Sequence, residues 1–234
     1  MKKFFLKFKN EFKMSRIVQN INELRSQIPN GVKIVAISKN QKIEKILEAM
    51  EAGQKIFGES KVQELDIKQK QIPEAQWHMV GHLQTNKVKQ IVSFVSMIQS
   101  VDSLRLLVEI DKQASKYNRV IDCLLQIHIA REETKFGFSQ QEIIELLEAG
   151  AIQSLLHVRI CGLMGMATYT DDTEAVRSEF RGLADFFKSL RKNFYSDELS
   201  FCELSMGMSD DYTIAIEEGA TIIRPGSIIF ENFK

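Results

Sequence analysis

The chain has 234 residues, 44% hydrophobic and 26% charged, with Lys+Arg and Asp+Glu both at 31 and a formal net charge of zero. This composition excludes collagenous, disordered and disulfide-scaffold classes, allows a packed core, and offers no electrostatic case for nucleic-acid binding. Cys123, Cys161 and Cys202 lie far apart with no CxxC, and read as reduced, buried thiols within strands, not as disulfide or zinc ligands.

Residues 1–8 begin like a signal peptide, but Lys7, Lys9 and Lys13 interrupt the apolar run and no small-residue cleavage site follows. No stretch approaches the roughly 18 to 20 apolar residues that span a bilayer. The expectation is a cytoplasmic protein without integral membrane association. Residues 1–15 are read as a flexible basic extension, with a surface-lying amphipathic tail as the alternative. Ile17, Ile21, Leu24 and Ile28, three and four apart, then predict a helix near 16–28.

From there short apolar runs alternate with helical patterns. The runs are 32–38 (VKIVAIS), 55–58 (KIFG), 77–81 (WHMVG), 97–101 (MIQSV), 123–129 (CLLQIHI), 158–164 (VRICGLM), 201–205 (FCELS) and 221–224 (TIIR). Helical patterns fall at 41–52, 60–70, 85–92, 103–117, 139–149, 172–192 and 209–218. Eight strands with seven intervening helices spell an α/β fold, a single (β/α)8 TIM barrel over residues 16–234, since no Gly/Ser-rich linker divides the chain. An open doubly wound sheet is the weaker reading, because 32–40 carries no GxGxxG. Residues 228–234 are too few for a full eighth helix, so the N-terminal helix is expected to cover that side.

In such a barrel the chemistry belongs at the C-terminal ends of the strands. Lys39 ends the first strand, where an amine serves as phosphate-binding cation, general base or Schiff-base nucleophile; a solvated loop lysine is the bland alternative. The stretch 205–209 (SMGMS), with Ser205, Gly207 and Ser209, leaves strand seven toward a helix N-terminus, which reads as an anion site. Arg224-Pro225-Gly226-Ser227 closes strand eight, with Gly226 allowing close backbone approach and Ser227 offering a donor. Barrels commonly bind phosphate in the loops after strands seven and eight; an N-cap at Ser209 and a simple turn at Pro225-Gly226 are the structural alternatives. A lysine facing a phosphate cup suits pyridoxal 5′-phosphate (PLP), which carries an aldehyde and a phosphate on one ring. An aldolase or a phosphosugar isomerase uses similar parts, and spacing does not separate them.

In the segments VAISKN, AGQKIFGESKVQEL, WHMVGHLQTNKVK, IQSVDS, EETKFGF, GLMGMAT, LSMGMSDDYTIAIEEGAT and RPGSIIF the chain resembles, from about Ile17 to Phe230, the YggS/PROSC family of pyridoxal phosphate homeostasis proteins. The resemblance implies a fold-type III barrel of the alanine-racemase type, without the second racemase domain, with PLP on Lys39. It implies phosphate contacts from Ser205, Ser209, Gly226 and Ser227, and a ring or phosphate contact from Arg224. It also places Ser60 and His82 near the cofactor, Ser60 standing where the family usually has asparagine. Lys87, in the same motif as His82, reads equally as an anion contact or a surface lysine. Met164, ending strand six beside Met166, is a soft side chain to pack on the ring. His78 and His82, four apart, lack the companion ligands of a zinc motif. Tyr169 and Tyr212 have no evident partner for acid chemistry.

The functional expectation is intracellular PLP homeostasis, meaning uptake, buffering and delivery of the cofactor through a Schiff base on Lys39. The chain is read as a monomer and as at most a weak racemase-like catalyst, with PLP-dependent apo-enzymes as its partners. A single-domain amino-acid racemase and a PLP-sensing interaction protein are the rivals.

Overall fold

The computed structural model describes residues 15–131 and 136–231. The basic extension over 1–14 and the EETK portion of one matching segment lie outside them. Ser15, counted with the extension in sequence, instead caps the first helix, its hydroxyl accepting from Val18 N at 3.3 Å.

The strands are β1 (Lys33–Ile34), β2 (Ala36–Ile37), β3 (Ile56–Glu59), β4 (Gln76–Met79), β5 (Met97–Val101), β6 (Ile121–Ile127), β7 (Val158–Gly165), β8 (Glu203–Ser205) and β9 (Ile222–Ile223). All pair in parallel. β1 and β2 are two halves of the predicted first strand: Lys33 and Ile34 pair with Ile222 and Ile223, whereas Ala36 and Ile37 pair with Phe57 and Gly58. One strand thus joins the last strand to the second, and the sheet closes into the expected barrel. The run predicted at 123–129 is shifted, because Ile121 pairs with Val158 and the chain beyond Ile127 turns to bond Phe138.

The helices are α1 (Arg16–Gln27), α2 (Ile43–Glu51), α3 (Val62–Gln71), α4 (Leu104–Ser115), α5 (Gln140–Glu148), α6 (Thr173–Asn193), α7 (Tyr212–Glu217) and α8 (Ser227–Phe230). Ser103 and Asp172 cap α4 and α6, and Ser139 with Glu142 forms a capping box on α5. The pattern at 85–92 forms a 3-10 helix over Thr85–Gln90 instead of an α-helix, and the turns beyond it bury Ile91, Val92 and Val95. Among the described residues no helix is long and apolar enough to cross a membrane.

α1 takes the place of a long final helix. Its buried Ile17, Ile21 and Leu24 join the main core, it lies against α2 and α8, and Asn20 Nδ2 donates to Ile229 O at 3.0 Å. α8 has four residues, so an open flank would remain without α1. The main core fills the layer between strands and helices. A smaller cluster of Val35, Met97, Leu124, Cys161, Met164 and Ile222 gathers inward-facing strand residues.

Candidate functional site

With every strand parallel, all strand C-termini open on one face. There a cavity of about 390 Å³ is lined by Lys39, Ser60, His82, Met166, Met208 and Arg224, among others. Lys39 lies two residues past the end of β2. Ile37 N bonds Pro225 O at 2.8 Å and Ser38 N bonds Gly58 O at 3.0 Å, so the strand is held from both sides up to the residue before the lysine. The Lys39 side chain itself is exposed at the cavity.

The loops after β8 and β9 meet beside it. Ser209 Oγ accepts from Gly226 N at 3.0 Å and from Ile228 N at 3.4 Å, tying the two loops together. Gly207 has φ +90°, and a Cβ there would stand 2.6 Å from Ala215 Cβ, so this turn requires glycine. A Cβ on Gly226 would sit 3.3 Å from Ile37 O, which brings the β9 loop close to the strand carrying Lys39. Ser227 is exposed at the same edge. The loop 205–209 does not run straight into a helix as its sequence suggests. α7 begins only at Tyr212, with Asp211 as the preceding residue, and the Asp211 carboxylate takes the Met208 N–H. Ser209 is therefore a bridge between loops and not an N-cap.

Arg224 is 3% exposed. Its Nη1 donates to Ser205 Oγ at 2.6 Å and its Nη2 to Gly165 O at 2.8 Å. Burial lowers its pKa to about 10, with Asp211 opposing the shift, so the guanidinium stays charged at neutral pH and puts a cation at the edge of the cavity. Ser205, expected at the phosphate, is fully buried; its hydroxyl donates to Gln99 Oε1 at 2.7 Å while accepting from Arg224. Gln99 Nε2 in turn donates to His78 Nδ1 at 2.9 Å. Burial drives His78 down to about 3 and keeps it neutral, which leaves Nδ1 free to accept and orients the amide. The chain His78–Gln99–Ser205–Arg224 thus crosses from β4 to the residue after β9 and fixes the guanidinium.

His82 Nδ1 donates to Asp102 Oδ2 at 2.7 Å, and its ring stacks on Phe136 with centroids 3.8 Å apart. Met164 does not line the cavity. It is fully buried in the barrel cluster, and Met166, on the same face two residues on, reaches the mouth instead. Ser60 lines the cavity, close enough to Gly81 that a Cβ there would come within 2.4 Å of Ser60 O. Lys87 is half-buried in the 3-10 helix and outside the lining. Tyr212 donates to Gln27 Oε1 at 3.0 Å, a tie to α1, and Tyr169 is exposed on a neighbouring depression of about 230 Å³. Cys202 corrects an expectation: it is exposed and precedes β8, whereas Cys123 and Cys161 are buried. Burial raises all three thiols, Cys161 to about 12. Gln99, Asp102 and Phe136 were missed in sequence because a lone polar or aromatic side chain carries no spacing signature.

The family model described as the alanine racemase N-terminal domain matches residues 13–232. The pyridoxal phosphate homeostasis protein of Aquifex aeolicus is 36% identical over 227 residues, covering 95% of this chain and 97% of its own. This chain belongs to the pyridoxal phosphate homeostasis protein family. Another family relative, from Synechocystis, is 35% identical over 215 residues, 89% of this chain and 95% of its own. PipY of Synechococcus elongatus PCC7942, solved with PLP bound, superposes with a TM-score of 0.84 at 34% identity, covering 92% of this chain and 100% of that one. An alanine racemase of Clostridium difficile shares the fold alone, at 14% identity and a TM-score of 0.69, with 93% of this chain matching 56% of the racemase. The family and the barrel inferred from sequence both stand.

Proposed function

We propose that this protein binds PLP at the barrel mouth through a Schiff base on Lys39 and serves its homeostasis by taking up, buffering and delivering it. The observation that carries this reading is the shared cavity of Lys39 and the buried Arg224 guanidinium, beside two loops drawn together by Ser209. Those groups fit the ligand. The Ser209 and Ser227 hydroxyls and the backbone close approaches at Gly207 and Gly226 suit a phosphate ester, and the exposed Lys39 amine suits an aldehyde. Bound, PLP supplies that aldehyde and an electron-withdrawing ring.

Lys39 would hold the cofactor by its amine, for which the aldehyde is the matching electrophile. The Ser209 and Ser227 hydroxyls, with the close-approaching backbone at Gly226, would hold the phosphate, and Ser60 and His82 would border the ring. Arg224, kept cationic, would disfavour protonation of a ring nitrogen held beside it and so weaken the ring as an electron sink, which suits a carrier better than a racemase. PLP-dependent apo-enzymes are the proposed recipients, and the protein is proposed to act as a cytoplasmic monomer. A weak racemase-like side reaction is the second reading, favoured by the His82–Asp102 pair at the cavity.

An absorbance spectrum with added PLP, borohydride reduction and peptide mass mapping test the site. The expected result is a reducible adduct on Lys39 that Lys39→Ala abolishes while noncovalent phosphate binding persists. An adduct on another lysine, or none, would overturn the assignment. Stereoinversion of an amino acid at ordinary enzymatic rates, abolished by Lys39→Ala, would put the racemase reading first.

A further inference from the structure

Lys39 is bracketed by Ser38 and Asn40, and one buried ionic cluster holds both. Lys68 lies on the inward face of α3 with Val62 and Leu65 and is 5% exposed. Its ammonium donates to Ser38 O at 2.6 Å, to Glu59 Oε1 at 2.7 Å and to Glu64 Oε2 at 3.2 Å. Ser38 Oγ also donates to Glu59 Oε1, at 2.6 Å. On the other side of Lys39, the Glu64 carboxylate accepts the Asn40 N–H at 3.1 and 3.3 Å, where Asn40 adopts a left-handed φ of 61°. Lys68 and Glu64 of α3 therefore pin the backbone immediately before and immediately after the lysine, and Glu59 of β3 holds the Ser38 hydroxyl.

Stability alone is a weak reason for this arrangement. An apolar side chain at position 68 would continue the stripe of Val62 and Leu65 without taking an ammonium and a carboxylate out of water, and buried pairs are often no more stabilising than such replacements. Glu59 Oε2 is buried with no hydrogen-bond partner, a cost that apolar packing would avoid. What the cluster contributes that apolar packing would not is direction: three acceptors converge on one ammonium, and all three belong to or bind the residues flanking Lys39.

We propose that Lys68, held by Glu59 and Glu64, is a positioning residue that locks the turn 38–40 so that the Lys39 amine is presented to the cavity. The proposal rests on Lys39 as the PLP-capturing amine. Lys68 touches neither the cavity nor the ligand, so it acts on how fast Lys39 reacts and not on how tightly the phosphate is held.

The test compares the wild-type protein with Lys68→Met, Lys68→Arg and Glu64→Gln. Two quantities are read: the rate of borohydride-trappable adduct formation at Lys39, over a range of pH, and the Kd for pyridoxine 5′-phosphate, which keeps ring and phosphate but has an alcohol in place of the aldehyde. Lys68→Met is expected to slow capture about tenfold or more and to displace its pH profile, with the Kd for the alcohol within about twofold of wild type. Lys68→Arg should recover most of the rate. Capture by Lys68→Met within about twofold of wild type overturns the proposal, as does a parallel loss of capture and alcohol binding without recovery in Lys68→Arg, the pattern of a merely structural role. If Lys68→Met does not fold, Glu64→Gln decides, since it alters one contact of a half-buried carboxylate: slower capture supports the proposal, and an unchanged rate overturns it. A wild-type protein that forms no adduct on Lys39 removes the reading beneath the proposal, and is told apart by failing before any variant is compared.

Discussion

Glu59 and His78 are buried one strand apart and carry opposite linkages to pH. Burial first, and then the neighbouring Glu64 carboxylate, push Glu59 from an ordinary 4.5 up to about 7, while burial drives His78 from 6.5 down to about 3. Between roughly pH 4.5 and 7 folded Glu59 keeps a proton that the unfolded chain has released, so its contribution to stability is fully present below that window and is lost as pH rises through it. Unfolded His78 binds a proton that the folded imidazole refuses, so its contribution is present above 6.5 and is lost as pH falls toward 3. Glu59→Gln leaves the histidine untouched. The difference in unfolding free energy, wild type minus variant, should therefore decline from pH 5 to 7.5, as measured by urea titrations across that range; a flat difference would show that Glu59 does not titrate there. Lys39, Ser209, Arg224 and Gly226 were legible in sequence because strand ends and turn residues announce themselves. The burial of Ser205 and Met164 beneath the mouth was not, since the two-residue period of a strand reports which face a side chain takes and not which layer of the barrel it occupies.

At the level of elements, α1 is the piece whose role depends most on tertiary context. Its spacing of apolar residues marks a helix, but only the four-residue length of α8 makes α1 the cover for that flank of the barrel. Ile21 is fully buried in the main core. Ile21→Ala is expected to cost about 3 kcal/mol from lost burial and a residual cavity, read as a fall in the urea midpoint with unchanged slope. A loss within the error of the titration would mean that α1 is an accessory and not part of the barrel. The same context explains the 3-10 helix at Thr85–Gln90, whose sequence reads as helical. The connection from β4 to β5 buries Val88, Ile91 and Val92, and there the chain takes a tight turn and then folds over its own apolar residues.

For the molecule as a whole, closure of the sheet is what makes a site. β1 and β2 divide one strand between two neighbours, and this brings the turn after β2, with Lys39, beside the loops after β8 and β9, which are far away in sequence. A ligand gripped by both ends of the chain should resist opening of that seam. At about 100 times Kd, PLP is expected to add about 2.7 kcal/mol and to raise Tm by roughly 5–10 °C, with a smaller rise in Lys39→Ala. Differential scanning calorimetry with and without ligand measures it, and no shift in the wild type would mean that PLP does not bind the folded barrel preferentially.

By itself, the sequence determined the strand and helix order, the barrel class, the family and the lysine proposed as the anchor, because each is written in local periodicity or in contiguous motifs. The tertiary structure alone decided what lies under the mouth. The chain His78–Gln99–Ser205–Arg224 and the clamp of Lys68 on the turn 38–40 join residues from different strands and helices. A buried polar side chain is permitted only where partners from elsewhere in the chain converge on it, and that convergence is a property of the folded molecule rather than of any segment.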